Sequence, residues 1–195
     1  MNFSTRQIQI IEAATKRIDK FGIQELTIKN LANDLELSEA ALYRHFKSKN
    51  DILLGMLSYF IVGMKEKINK IIANDSETPC EIINDIFNNQ LNTFIKNPAI
   101  VSVIFSEGIF QFNGTLSNKL SEMMGLMQEK ISELVKRGQD EECFNKMLNP
   151  ALATTMIMGS MRMVVLKWKL SGNKTNLVKD GQNMLNGILK MMKKK

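Results

Sequence analysis

Proline occurs at three of 195 positions, Pro79, Pro98 and Pro150. A proline inside a helix removes a backbone donor and clashes with the preceding turn. The intervals 1–78, 80–97, 99–149 and 151–195 are therefore open to long helices. Their apolar spacing fills them that way. Ile8, Ile11, Ala14, Ile18 and Phe21 recur at three and four residues, which is one face of a helix. Ser4 with Gln7 makes a capping box in front of it, and Phe3 and Ile8 stand at hydrophobic-staple positions. Gly22 supplies the stop, so a helix is expected over 5–21.

The same reading continues down the chain. Thr27 caps a short helix over 28–35 whose inner face is Ile28, Leu31, Ala32 and Leu35. Ser38 caps another over 39–46, with Ala41, Leu42 and Phe46 inward. Ser48 caps a long helix over 49–73, and Asp51 in its first turn suits the helix dipole. A loop over 74–79 precedes a helix over 79–96, which Asn97-Pro98 ends. Helices over 99–106, 115–137, 150–170 and 174–192 follow, the first two separated by a turn over 107–114. Gly138 and Ser171-Gly172 mark two of the stops. No stretch alternates as a strand would, and no repeat is present. The expected fold is all-α, with about nine helices. Residues 1–48 form a three-helix head, extending to about 60 with the start of the fourth helix, and 49–195 form a bundle.

Several function classes drop out. Cys80 and Cys143 are 63 positions apart and His45 is the single histidine, so the usual set of about four zinc ligands is missing. No metal or cofactor is expected. The two thiols read as buried or idle, with a redox role as the alternative. The N-terminus lacks a basic-then-apolar leader pattern. The most apolar stretch, 98–112, is too short for a bilayer and contains Glu107. A cytoplasmic protein without membrane contact is expected. No nucleophile elbow, P-loop or dinucleotide fingerprint occurs, and the carboxylates are scattered. No catalytic residue is assigned, and the chain is not expected to be an enzyme.

The two short helices over 27–46 have the spacing of a helix-turn-helix. The first can brace on a duplex while the second enters the major groove. The second presents Glu39, Ala40 and Arg44 outward, with Tyr43 and His45 beside them and Lys47 and Lys49 just beyond. Ala40 permits close approach to a thymine methyl, and Arg44 suits guanine. A half-buried packing role for Tyr43, a hydrogen-bonded structural role for His45 and a surface ion pair for Arg44 are the alternatives.

Residues 4 to about 60 resemble the DNA-binding head of the TetR/AcrR family of transcriptional regulators. The matching residues are Phe21-Gly22, Leu26-Thr27-Ile28, Leu31-Ala32, the run LSEAALYRHF over 37–46, and Ser48-Lys49-Asn50-Asp51-Ile52-Leu53. The family usually has glycine in the turn between the two helices; this chain has Glu36. The resemblance implies a homodimer on a palindromic DNA operator. In it Thr27, Tyr43, His45 and Lys49 touch phosphates, and Ser38 caps the recognition helix with a phosphate contact of its own. Glu39, Ala40, Ala41 and Arg44 face base edges. A small, largely apolar effector, bound between the middle helices, would release a repressor. Action through a protein partner while bound to DNA, as in division control, is the alternative.

Of 14 methionines, 11 lie beyond residue 120. Such flexible side chains suit either an adaptable apolar pocket or ordinary core packing. Phe60, Phe87, Phe94, Phe105, Met127 and Met156 are the candidate pocket lining. The last two helices are expected to pair with their copies in the dimer through Met161, Val165, Trp168, Leu177, Gly181, Leu185 and Ile188. Gly159, Gly181 and Gly187 support this, because each costs about 1 kcal/mol inside a helix and is easier to explain beside a close neighbour. The net charge of +6 does not sit on the head. Residues 1–49 hold eight Lys/Arg and six Asp/Glu, whereas 162–195 hold nine Lys/Arg and only Asp180. That basic excess reads as a solvated face of the bundle.

Overall fold

A computed structural model describes residues 3–73, 77–106 and 113–194. Among them stand nine α-helices, one short 3₁₀ turn at Ile23–Glu25, and no strand, so the fold is all-α. The helices are α1 (Thr5–Phe21), α2 (Ile28–Asp34), α3 (Glu39–Tyr43), α4 (Lys49–Ile72) and α5 (Pro79–Lys96). They continue with α6 (Pro98–Ile104), α7 (Gly114–Asp140), α8 (Pro150–Leu170) and α9 (Leu177–Met192).

Helix starts follow the capping residues. Ser4 Oγ accepts the Gln7 N–H at 3.2 Å and Gln7 Oε1 accepts the Ser4 N–H at 3.0 Å, a complete capping box. Thr27, Ser38 and Ser48 each accept the N–H three residues on, all at 3.1 Å. A second capping box, Thr78 with Glu81, opens α5 inside what the sequence reads as plain loop.

Four helix boundaries differ from expectation by more than one residue. Helix α3 stops at Tyr43 rather than 46, because Leu42 O takes the N–H of both His45 (2.9 Å) and Phe46 (3.1 Å) and tightens the last turn. Helix α6 ends at Ile104 instead of 106. Helix α7 runs through Gly138 to Asp140. There Gly138 is not a stop; its missing Cβ makes room for the fully buried Phe144 ring. Helix α9 starts at Leu177, since Asn176 is the residue that caps it. The turn expected over 107–114 lies outside the described residues from 107 to 112.

The chain divides into two compact units, 1–63 with 96–123, and 64–95 with 124–195. The head expected over 1–48 thus shares a unit with the first part of α4 and with α6. Ile10, Ile11, Ala14 and Ile18 of α1 join Leu26, Leu31, Leu42 and Leu53 in that unit's core. Helix α1 packs on α2 and α6. Asn97, the cap residue of α6, makes no side-chain cap bond. The Asp19 carboxylate of α1 accepts the Ala99 N–H instead. Burial pushes the Asp19 carboxyl up, and this bond opposes the rise.

In the second unit α9 packs on α8. Gly181 of α9 meets Leu91 and Phe87 of α5, where a Cβ would lie 3.2 Å from the Phe87 ring. The Asn145 N–H bonds to Met192 O at 2.9 Å, and Phe144 pairs with Lys193 in a lone antiparallel bridge. No helix among the described residues is long and apolar enough to cross a membrane.

Candidate nucleic-acid interface

Helices α2 and α3 are joined by a turn built from backbone bonds. The Leu37 N–H bonds to Ala32 O at 2.9 Å and the Glu36 N–H to Asn33 O at 3.1 Å, the paired bonds of a Schellman turn. Glu36 carries the left-handed residue of that turn, with φ 54°. A side chain there costs about 1–2 kcal/mol. The turn therefore keeps the geometry glycine normally supplies, and Glu36 bears the strain.

Helix α3 is anchored on one side and open on the other. Leu42 is fully buried and Phe46 nearly so, with the Phe46 ring against Gly55 of α4. Ser38, Glu39, Ala40, Tyr43 and Arg44 are exposed, and Ala41 and His45 are half-buried. Tyr43 leaves 47% of its surface to solvent, too much for a packing residue. Arg44 makes no ion pair among the described residues. Thr27 is exposed at the start of α2. Lys49 is held differently from the rest: its Nζ donates to Ile23 O at 3.0 Å, and burial pushes its pKa down. Two of its three N–H donors remain for another acceptor. Eight of the nine expected DNA-facing residues thus lie on or beside α3 or at the start of α2, while Lys49 ties the start of α4 to the 3₁₀ turn.

The expected pocket residues are scattered. Phe60 and Phe105 belong to the first unit and are half-buried. Phe87, Phe94 and Met127 are buried in the second. Met156, 43% exposed, is on the surface of α8. A surface groove of the first unit runs along α1 past Arg6, Lys16, Lys20 and Phe21, and none of the six expected residues borders it.

The expected dimer residues lie mostly inside the second unit. Val165, Trp168, Leu177, Gly181, Leu185 and Ile188 are buried within the second unit itself, and Met161 is half-buried on the same stripe. They face the chain's own helices. Helix α8 is apolar on two opposite sides, so periodicity alone cannot say which side turns inward. The outward stripe is Leu152, Met156, Gly159, Met163 and Leu170 on α8, with Met184, Gly187 and Met191 on α9. Leu170 and Met191 are 78% and 71% exposed.

Residues 10–56 match the family of bacterial regulatory proteins of the tetR type, and residues 55–191 match the C-terminal region of YsiA-like proteins. The chain belongs to the TetR family. It is a DNA-binding transcriptional regulator of that family. Among curated relatives it is similar to the nucleoid occlusion factor SlmA of Alteromonas mediterranea, with 24% identity over 157 residues, 80% of this chain and 79% of that one. Among solved structures it resembles the fatty acid degradation regulator FadR from Bacillus halodurans, at TM-score 0.83 and 20% identity, covering 97% of each chain. FadR from Bacillus subtilis in complex with stearoyl-CoA matches at TM-score 0.76 and 22% identity, covering 93% of this chain and 97% of that one.

The outward stripe on α8 and α9 is distinct from the residues that the sequence reading expects at the dimer contact. The glycines carried the clue. Of Gly159, Gly181 and Gly187, Gly181 is crowded by its own chain, whereas a Cβ on either of the others would meet nothing within 4 Å among the described residues. An internal packing reason therefore accounts for one of the three and leaves two open.

Proposed function

We propose that this regulator binds a palindromic operator as a homodimer in the cytoplasm and represses transcription until a largely apolar fatty acyl effector releases it. The carrying observation is the exposed face of α3, Glu39, Ala40, Tyr43 and Arg44, held from behind by buried Leu42 and Phe46. Arg44 and Ala40 read base edges, with Glu39 and Ala41 beside them. Thr27, Ser38, Tyr43, His45 and the two spare donors of Lys49 fix the head on phosphates. The protein acts by binding alone and uses no cofactor.

Two copies meet through the outward stripe of α8 and α9. A twofold contact is self-complementary, and the open Gly159 and Gly187 let helices of two copies approach closely. The effector class is supported by similarity to FadR in complex with stearoyl-CoA. Phe87, Phe94 and Met127 are buried apolar side chains of the second unit. Release requires that the effector bind the DNA-competent arrangement less well than the alternative one.

The test begins with selection of bound duplexes from a random pool, followed by affinities of Arg44→Ala and Tyr43→Ala. Arg44→Ala is expected to cost about 1–3 kcal/mol and to relax sequence preference at one position. A selected site without twofold symmetry, or affinities unchanged in both variants, rejects the reading. Similarity to SlmA supports a second reading, in which the DNA-bound protein acts through a protein partner. Operator binding that no acyl compound disturbs favours it.

A further inference from the structure

Helical serine and threonine hydroxyls normally bond back to a carbonyl of the preceding turn. In this chain Thr15 bonds to Ile11 O at 2.8 Å, Thr93 to Asn89 O at 2.7 Å and Thr155 to Ala151 O at 2.9 Å. Thr154, next to Thr155 on α8, does not. Its residue is 0% exposed, and its Oγ1 has no hydrogen-bond partner among the described residues. It stands on the inward stripe among Ala153, Ile157, Val164, Val165 and Trp168. An unsatisfied hydroxyl in such surroundings costs about 1–3 kcal/mol. Valine has nearly the same shape and carries no such penalty. A hydroxyl at this position is explained if something outside the chain completes its bond. Helix α5 of the same unit carries a second buried orphan, Asn88 Oδ1.

We infer that Thr154 Oγ1 donates a hydrogen bond to the carbonyl or carboxylate oxygen of the acyl effector inside the second unit. This rests on the acyl reading of the effector and adds to it the residue that recognises the polar end. A long acyl chain offers a single oxygen-bearing group, and in an apolar interior that oxygen needs a donor. Thr154 makes the site selective for an acyl oxygen over bare hydrocarbon. A free fatty acid and a CoA thioester share this oxygen, so the experiment carries one arm for each.

The full-length protein is titrated off operator DNA with stearate and, separately, with stearoyl-CoA. Wild type, Thr154→Val and Thr154→Ser are compared. Operator affinity without effector is expected to be equal in all three. For whichever probe releases the wild type, Thr154→Val should need about tenfold more, equivalent to about 1.4 kcal/mol. Thr154→Ser, which keeps the hydroxyl, should stay within about threefold. Without effector, the Tm of Thr154→Val should rise by about 2–4 °C, because the orphan is gone. A Thr154→Val response equal to wild type overturns the assignment, and so does equal impairment of valine and serine. Wild type that keeps its operator with both probes overturns the acyl reading and this assignment together, while leaving operator binding intact.

Discussion

Glu36 holds a conformation that its side chain opposes. Its φ of 54° lies in the left-handed region, and Glu142 after α7 does the same at 58°. Both close Schellman turns: the Cys143 N–H bonds to Gly138 O at 2.8 Å, as the Leu37 N–H does to Ala32 O. The two differ in what the carboxylate does. Glu142 reaches Lys194 at 3.2 Å, which holds its carboxyl below the ordinary value. For Glu36 the turn is strain alone. Glu36→Gly removes about 1–2 kcal/mol of left-handed cost and adds back about 0.4–1 kcal/mol of unfolded-chain entropy. A net gain of about 0.5–1 kcal/mol is expected, seen as a Tm rise of about 1–4 °C with operator affinity unchanged. This strained turn was legible in the sequence, because a glutamate replaces the glycine usual in a family whose motif is otherwise intact. Lys49 was not: nothing in its sequence position reveals that its ammonium reaches the Ile23 carbonyl.

Four helix starts were legible from local caps, whereas two further local caps, Thr78 with Glu81 and Asn176, went unread. Ser4, Thr27, Ser38 and Ser48 each satisfy an orphan N–H within three residues, and the helices begin where they say. Gly138 behaves otherwise, since its role is set by Phe144 after the helix has ended. Gly138→Ala would drive a methyl into that fully buried ring, at a cost of about 1–3 kcal/mol. Thermal unfolding should fall by several degrees, whereas an alanine at Gly125, where a Cβ meets nothing within 4 Å, should not lower it.

The capping box of α5 adds a pH effect. The Glu81 carboxylate takes the Thr78 N–H and the Thr78 hydroxyl, both at 2.8 Å, and these bonds hold its pKa below the ordinary glutamate value. The folded state therefore favours the ionised form. Its contribution is complete above the ordinary value and disappears as pH falls through the lower folded one. Glu81→Gln keeps an acceptor and loses the titration. Its Tm should lie below wild type at pH 7, with the gap closing on acidification toward pH 3. A gap independent of pH assigns the stabilisation to something other than the ionised carboxylate.

At the scale of the molecule, the amino-acid pattern says that α8 and α9 bury apolar surface without saying against what. Both faces of α8 are apolar, and only the packed structure shows that Trp168 and Leu185 point inward while Met163 and Met191 remain outside. The basic excess lies on the same two helices: residues 162–195 carry a net charge of +8. Pairing two copies through this face brings like charges together, and salt screens that repulsion. Operator binding depends on salt in the opposite sense, because phosphate contacts release counterions. Between 50 and 300 mM NaCl, self-association should tighten while operator affinity falls. Met163→Lys tests the face itself. The substitution appears twice across a twofold contact, adding two cations to a surface already positive. Sedimentation should show dimer association weakened at least tenfold, shifting the protein toward monomer, with the folded helical content retained. Operator binding should weaken in parallel, since a monomer holds one half-site. A Met163→Lys protein that sediments as wild type places the dimer contact elsewhere than on the outward stripe.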